Sequence, residues 1–474
     1  MSKMNWKDLL CEERIRQFTK STTSNDVRTE FEKDYHRIVG SAAFRRLQDK
    51  TQVFPLDKSD YIRTRLTHSL EVSSFARSLG QSVGQRMIDS NVDPDFGYRQ
   101  KDDICNILQC AGLIHDIGNP PFGHYGEGVI QSYFRDNLPL LTYNGRKLSE
   151  ILTEQQQNDL YHFEGNTQAL RVVTKLHFLV DEHGMNLTKA LLGTIIKYPV
   201  SSLEVKKIPG DIRCKKMGYF YADNDNFEDI QRSTGTNGRR HPLTYLLEAA
   251  DDIAYKTADI EDAIKKGKLT IKVLREELEQ RLGPAVNDGS IGSRFVEELT
   301  RKYDKAVGIN SMHPDMYAIQ NWSVFVQGKA LYAVSDSFIE HYDRIMEGEY
   351  NNDLFAGTEV APIMGALGEI AYKYVFSSRP IYKLEIAADT IFNFLLDRFV
   401  KAAVYYDTDV RMSDLDLRLM DLVSRDYKKI YEIYSKDRSE NTKLYLRLLL
   451  ITDYICGMTD SYAKNLYQEL NGIQ

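Results

Sequence analysis

Apolar side chains in this chain recur at three- and four-residue intervals over long windows, a period that fits helices and few other elements. The stretch "RLTHSLEVSSFARSLGQSV" sets Leu66, Leu70, Phe75, Leu79 and Val83 close to one helix face. "DDICNILQCAGLIHDIG" repeats the spacing at Ile104, Ile107, Leu108, Ala111 and Ile114. Asp102 and Asp103 suit its first turn, and Gly118 followed by Pro120 and Pro121 ends it. "PLTYLLEAADDIAYKTADIEDAI" runs on from Pro242 with apolar positions at Leu246, Leu247, Ala250, Ala254 and Ile264. "TIFNFLLDRFVKAAV" and "TKLYLRLLLITDYICGM" read as further helices, whereas "KLTIKVL" is compatible with strand or helix. The expected fold is all-α. Loops are expected at "VDPDFGYR", "ADNDNFEDIQRSTGTNGRRHP" and "EYNNDLFAGTEVAP", from their Gly, Asn, Asp and Pro content.

A length of 474 residues leaves room for two or three domains or for one large helical body. The net charge of -7 argues against a nucleic-acid binder dominated by a basic surface, but leaves a local basic patch open. Cys11, Cys105, Cys110, Cys214 and Cys456 are odd in number and show no CxxC spacing, which reads as reduced thiols of a cytosolic protein. The start "MSKMNWKDLL" lacks the apolar core of a signal peptide. "LYLRLLLITDYIC" is interrupted by Arg447 and Asp453 and is too short for a membrane span, so a buried helix is expected there.

Against this background residues 112–128, "GLIHDIGNPPFGHYGEG", crowd two histidines and two acids into a stretch broken by glycine and proline. His68, His115, Asp116 and Asp251 each fall on or at the end of an expected helix, and imidazole plus carboxylate suits Mn²⁺, Fe²⁺, Zn²⁺ or Co²⁺. A single histidine on such a helix is most often a hydrogen-bonded core or surface residue. The ordered set of His, His-Asp and a later Asp is much harder to obtain by accident. Tyr255 and Asp259 follow Asp251 at i+4 and i+8 along one face, either as a solvated stripe or as part of a site. The small apolar neighbours in "LLEAADDIAYKTA" favour a helix packed on both sides, where a carboxylate needs a partner or a metal. In "PPFGHYGEG", His124 can deliver a proton, and Glu127, three residues on, can orient it. The bland alternative is a glycine-rich turn with two incidental polar residues.

The order His68, His115-Asp116, Asp251 resembles the HD superfamily of metal-dependent phosphohydrolases. The blocks "FRRLQDKTQVFPL", "TRLTHSLEVS", "HDIGNPPFGHYGE", "FEGNTQALR", "IIKYP", "EAADDIAYKTADIEDA" and "DYICGMTDSYA" narrow the likeness to the dNTP triphosphohydrolases, the dGTPase-like branch, over nearly the whole chain. The resemblance implies an all-α fold with an HD-domain helical core and additional C-terminal helices. The division it suggests is a catalytic core with an N-terminal substrate-contacting segment over 1–270, and a helical region packed on that core over 271–474.

The same resemblance implies hydrolysis of a deoxynucleoside triphosphate, dGTP or several dNTPs, to deoxynucleoside and inorganic triphosphate. It makes His68, His115, Asp116 and Asp251 ligands of a divalent metal ion, Mn²⁺ or Mg²⁺ ahead of Fe²⁺, Co²⁺ or Zn²⁺. It makes His124 and Glu127 the catalytic pair, with His124 either protonating the leaving 5'-oxygen or orienting the attacking water. Gln52 and Asp259 match positions that hold the sugar 3'-hydroxyl, Tyr255 the aromatic against the deoxyribose, and Arg65 and Lys197 positions near the phosphates. His162, beside "FEGN", carries no family role. The base is expected to meet the segment after Gln52 and C-terminal loops.

A cytoplasmic homo-oligomer, often a hexamer in this family, is the implied assembly, with no membrane partner. The basic runs "KKIPGDIRCKK" (Lys206, Lys207, Arg213, Lys215, Lys216) and "GRRHP" (Arg239, Arg240) read first as solvated loops, and second as a regulatory dNTP or single-stranded DNA site. Two other functions compete: an HD-type nucleotidase of different specificity, and a dNTP sensor without turnover.

Overall fold

The computed structural model describes residues 3–16, 26–53, 63–178, 180–208, 210–283, 291–377 and 379–473. Within it Thr64 caps the helix that leads into the site. Its hydroxyl accepts the Thr67 amide, and its own amide donates to the Thr67 hydroxyl. The helices used below are α1 (Arg65–Ser90), α2 (Tyr98–Ile114), α3 (Gly123–Asn137), α4 (Gly165–Arg171), α5 (Pro242–Lys265), α6 (Pro314–Glu340), α7 (Arg379–Val404), α8 (Glu440–Cys456) and α9 (Asp460–Leu470). Among the described residues the one ladder of strands is a two-stranded antiparallel ribbon, Thr142–Tyr143 with Arg146–Lys147. The all-α expectation therefore holds.

On α2 burial follows the expected face, with Ile104, Ile107, Leu108, Ala111 and Ile114 all buried. On α1 the buried stripe is Val72, Ala76, Leu79 and Val83. Of the expected face only Leu79 and Val83 lie on it; Leu66 and Phe75 are half-buried and Leu70 is exposed, because the i, i+4, i+7, i+11 row that meets α2 runs through Val72 and Ala76 instead. These two helices pack against each other, and α5 and α6 pack on α1 and on each other. A first apolar cluster gathers α1, α2, α5, α6 and further buried residues, among them Ile271, Leu299, Leu354 and Ile381. A second gathers α3, the stretch Leu148–Phe163, α7, α8 and Leu466 of α9. The site lies between them, because α2 ends in the first cluster at Ile114 and α3 begins in the second at Phe122.

Three expectations need comment. Residues Asn224–Ser233 form a helix inside a stretch expected to be loop. Phe227 and Ile230 supply a buried face only one turn long, too little periodicity to stand out among the Asn and Asp residues. "KLTIKVL" is helical from Ile271 because the Thr270 hydroxyl accepts the Val273 amide at the N-terminus. Arg447 and Asp453 are buried in α8 as paired charges: Arg447 with Glu440 at 2.8 Å and Asp453 with Arg171 at 2.7 Å. Among the described residues no helix is long and apolar enough to cross a membrane. All five cysteines are free thiols.

Candidate active site

Three of the four expected metal ligands converge. One donor atom each from His68, His115 and Asp251 lies within 4.8 Å of the others. His68 projects from the first turn of α1, His115 caps the C-terminus of α2, and Asp251 sits mid-way along α5. His68 Nε2 is 3.1 Å from Asp251 Oδ1, and His115 Nε2 is 3.6 Å from the same oxygen. His115 Nδ1 is 2.8 Å from the carbonyl of Gly112, so that nitrogen carries the proton and Nε2 presents a lone pair. That Nε2 is buried and has no hydrogen-bond partner. An orphaned acceptor facing an imidazole and a carboxylate is the donor chemistry a divalent cation requires, so these residues fit a metal ion.

Asp116 is held differently. Its Oδ2 accepts Arg65 Nη1 at 2.6 Å and its Oδ1 accepts Asn119 Nδ2 at 2.6 Å, while Oδ1 stands 3.6 Å from His115 Nε2. It lies beside the three converging donors with both oxygens engaged. Burial opposes its charge, but the Arg65 guanidinium and the nearby histidines hold it well below the usual carboxylate range. Burial likewise opposes ionisation of Asp251, and His115, Lys197 and His68 outweigh it. Lys197 Nζ reaches Asp251 Oδ2 at 3.4 Å, which keeps this buried lysine charged.

His124 and Glu127 form a separate pair at the start of α3. His124 Nδ1 is 2.9 Å from Glu127 Oε2, and Glu127 Oε1 accepts the Gly165 amide at 2.9 Å. The histidine side chain is 75% exposed and the carboxylate only 6%. The hydrogen bond and charge of Glu127 raise the His124 pKa above its ordinary value. Burial pushes Glu127 up, but His124, Lys216 and the Gly165 amide bring it net down. Gly165 is closely approached here: a Cβ would lie 2.5 Å from Glu127 Oε1 and closer still to Asn119, so either side chain would have to shift.

Gln52, Arg65 and His124 line one cavity of about 170 Å³ together with Phe376, Ile381, Leu384 and Glu385. Gln52 Oε1 and Arg65 Nε are both buried without a partner. Tyr255 and Asp259 lie one and two turns beyond Asp251 on α5. Asp259 is buried close enough to His68 to feel its charge; burial, then Asp262, push its pKa up to about 7. His162 ends the helix Glu154–Tyr161 with Nδ1 3.1 Å from the Asn158 carbonyl. The segment expected to meet the base lies, from residue 54 to 62, outside the described residues.

Sequence reasoning missed several partners. Lys216, read as one of a basic run, pairs with Glu164 at 2.6 Å and contributes positive charge at His124 and Glu127. Arg240, from the other run, is buried in an ion pair with Glu248, and Arg213 pairs with Asp211 at 2.8 Å. Asn119 and Gly165 bind the two key acids. The signal for both lay in "NPPFGH" and "FEGN", which were recognised as blocks without a role for each residue.

Residues 65–184 match the HD domain family, so fold and site together define a helical HD-domain hydrolase with a His-His-Asp group suited to a divalent metal. The chain is 46% identical over 477 residues to the deoxyguanosinetriphosphate triphosphohydrolase-like protein of Listeria monocytogenes, spanning 99% of this chain and 100% of that one. It is 33% identical over 484 residues to the protein of the same description from Synechocystis, again 99% and 100% of the two chains. With the deoxyguanosinetriphosphate triphosphohydrolase of Serratia proteamaculans it shares 31% identity over 484 residues, 94% of each chain. The chain belongs to the deoxyguanosinetriphosphate triphosphohydrolase family, the dNTP triphosphohydrolase branch of the HD superfamily.

Proposed function

We propose that this hydrolase cleaves deoxynucleoside triphosphates, dGTP among them, into deoxynucleoside and inorganic triphosphate by attack of water at the α-phosphorus. The observation that carries the reading is an exposed histidine, backed by a buried carboxylate, on the wall of a cavity that also holds Arg65 and Gln52. A leaving 5'-oxygen needs a proton, and an imidazole whose pKa Glu127 raises keeps its proton to higher pH than a free one. His124 is assigned that proton, and Glu127 keeps the ring oriented and the imidazolium favoured. Its other role, aligning the water, would use the same geometry from the opposite side of the phosphorus.

His68, His115 and Asp251, with Asp116 beside them, would hold a divalent ion, Mn²⁺ or Mg²⁺ in this reading. When bound, the ion would polarise the α-phosphate and acidify the attacking water. Arg65, Lys197 and Lys216 offset the charge of the triphosphate in an otherwise acidic protein. Gln52 and Asp259 would bind the sugar 3'-hydroxyl and Tyr255 would pack on the deoxyribose. Supporting this, Gln52 Oε1 lacks a partner, and Asp259, with a pKa near 7, exists both as acceptor and as donor around neutrality. Residues from 271 onward complete the pocket in this reading, because Phe376, Ile381, Leu384 and Glu385 line it. A cytoplasmic homo-oligomer belongs to the same proposal.

The test is product analysis by ion-exchange chromatography after incubation with each dNTP, singly and mixed, with Mn²⁺ or Mg²⁺. Deoxynucleoside with intact tripolyphosphate is the expected result, and the mixtures read out activation by a second nucleotide. Orthophosphate or pyrophosphate would instead indicate a nucleotidase of another specificity, and binding without products a sensor.

A further inference from the structure

The block "DYICGMTDSYA" is remote in sequence from the site, yet Asp460 within it reaches both walls of the cavity. Asp460 is the first residue of α9 and is 1% exposed. Its Oδ1 accepts the Phe122 amide at 2.9 Å, and its Oδ2 accepts the Thr51 amide at 3.0 Å and the Thr51 hydroxyl at 2.6 Å. Phe122 precedes α3, which carries His124 in its first turn, and Thr51 precedes Gln52.

The backbone at Phe122 requires such a hold. Its φ is +60°, in the left-handed region. Among the described residues every other non-glycine there is an asparagine or aspartate, whose short polar side chains tolerate it. A phenylalanine stays in that conformation only when its surroundings impose it. Here the Asp460 carboxylate takes its amide, and the Phe392 ring packs edge-on at 5.9 Å between centroids. Neighbouring contacts tie the same segments together. Lys50 Nζ donates to the carbonyls of Asn119 and Cys456 at 2.6 and 2.7 Å, and the Ser461 hydroxyl donates to Asp49 at 2.9 Å.

We propose that Asp460 is a positioning residue for the reaction: one carboxylate holds the left-handed Phe122 that aims His124 and the Thr51 that aims Gln52, so the proton donor and the sugar-binding side chain are set from a common point. This rests on the proposed function, which makes those two side chains the ones that meet substrate.

The test compares wild type, Asp460→Asn and Thr51→Val as full chains with Mn²⁺ and dGTP. Asp460→Asn keeps the shape but cannot accept from both partners as before. It should lower kcat roughly 10- to 100-fold, the scale of an ångström of misplacement. It should also raise KM severalfold, with metal content unchanged. Thr51→Val removes only the hydroxyl bond and should raise KM with little change in kcat. Amide hydrogen exchange should speed up in 47–53 and 119–126 of Asp460→Asn, and stay unchanged in 104–114. Wild-type kcat and KM in folded Asp460→Asn, or loss of activity only in proportion to loss of folded protein, would overturn the proposal. If Asp460→Asn does not fold, Thr51→Val decides: an unchanged KM overturns it. If wild type releases no tripolyphosphate, the proposed function fails on its own. Hydrogen exchange then decides the clamp, and unchanged exchange in 119–126 overturns it.

Discussion

Glu127 lies beneath His124, with Oε2 2.9 Å from the ring Nδ1 and Oε1 taken by the Gly165 amide. The carboxylate is therefore pinned from a second element, α4, and cannot follow the ring if the ring moves. This makes Glu127 an orienting group and leaves Nε2 of His124 free to face the cavity.

The pH dependence of turnover follows from that pair. Glu127 raises the His124 pKa, so if His124 is the proton donor, activity should be lost as pH rises through a value above that of a free imidazole. Glu127→Gln removes the charge, and the alkaline limb of the kcat profile should move to lower pH. His124→Ala should cost about 10²- to 10⁴-fold in kcat with nucleotide and metal still bound. A limb that stays in place in Glu127→Gln would show that another group controls it.

Asp251 contributes to two relationships at once, the His68–His115 cluster and the Lys197 ion pair. Asp251→Ala should lose bound divalent metal, read by elemental analysis after dialysis against a trace of Mn²⁺. Unchanged metal content would remove Asp251 from the ligand set.

Gly165 leaves no room for a side chain without moving its neighbours. In Gly165→Ala the added Cβ must displace Glu127 or Asn119, so both the catalytic pair and the Asp116 environment shift. Overpacking of this kind costs about 1–3 kcal/mol. We expect a lower melting temperature together with a drop in kcat larger than the loss of folded protein explains. A variant with wild-type kcat would mean that the Gly165 contact is dispensable.

Asp159 provides a pH effect on stability away from the site. It is fully buried, and its pKa is pushed up to about 7 by burial, against hydrogen bonds from Ser202, Tyr445 and the Tyr221 amide. The folded chain thus holds a proton that the unfolded chain releases near pH 4. That contribution to stability is full below about pH 4 and is lost as pH rises through about 7. Asp159→Asn carries no charge at either end, so its melting temperature should fall less than that of wild type between pH 5 and 8. Parallel curves for the two proteins would exclude Asp159 as the titrating group.

Periodicity and punctuation made the existence of the site's helices legible. Pro242 and the Gly118–Pro121 break sit at helix boundaries because capping and chain reversal are local physics. The helix Asn224–Ser233 was not legible, because its apolar face is a single turn whose value comes from the surface it covers. His124 and Glu127, three residues apart, were readable as a pair. Asp116 was readable as a member of the ligand set beside His115. That its oxygens go to Arg65 and Asn119 depends on how α1 meets the turn after α2.

Local chemistry therefore determined the helical class, the placement of His68, His115, Asp116 and Asp251 on or at the ends of helices, and the spacing of Asp251, Tyr255 and Asp259 along one helix. Tertiary packing alone decided what those residues touch. Lys216 and Arg240 look alike in sequence, yet one lies beside the His124–Glu127 pair and the other is sealed against Glu248. Asp460 reaches Phe122 from 338 residues away. Such pairings cannot be read from spacing, because hydrogen bonds and ion pairs depend on the few ångströms between atoms, and only the folded core sets those distances.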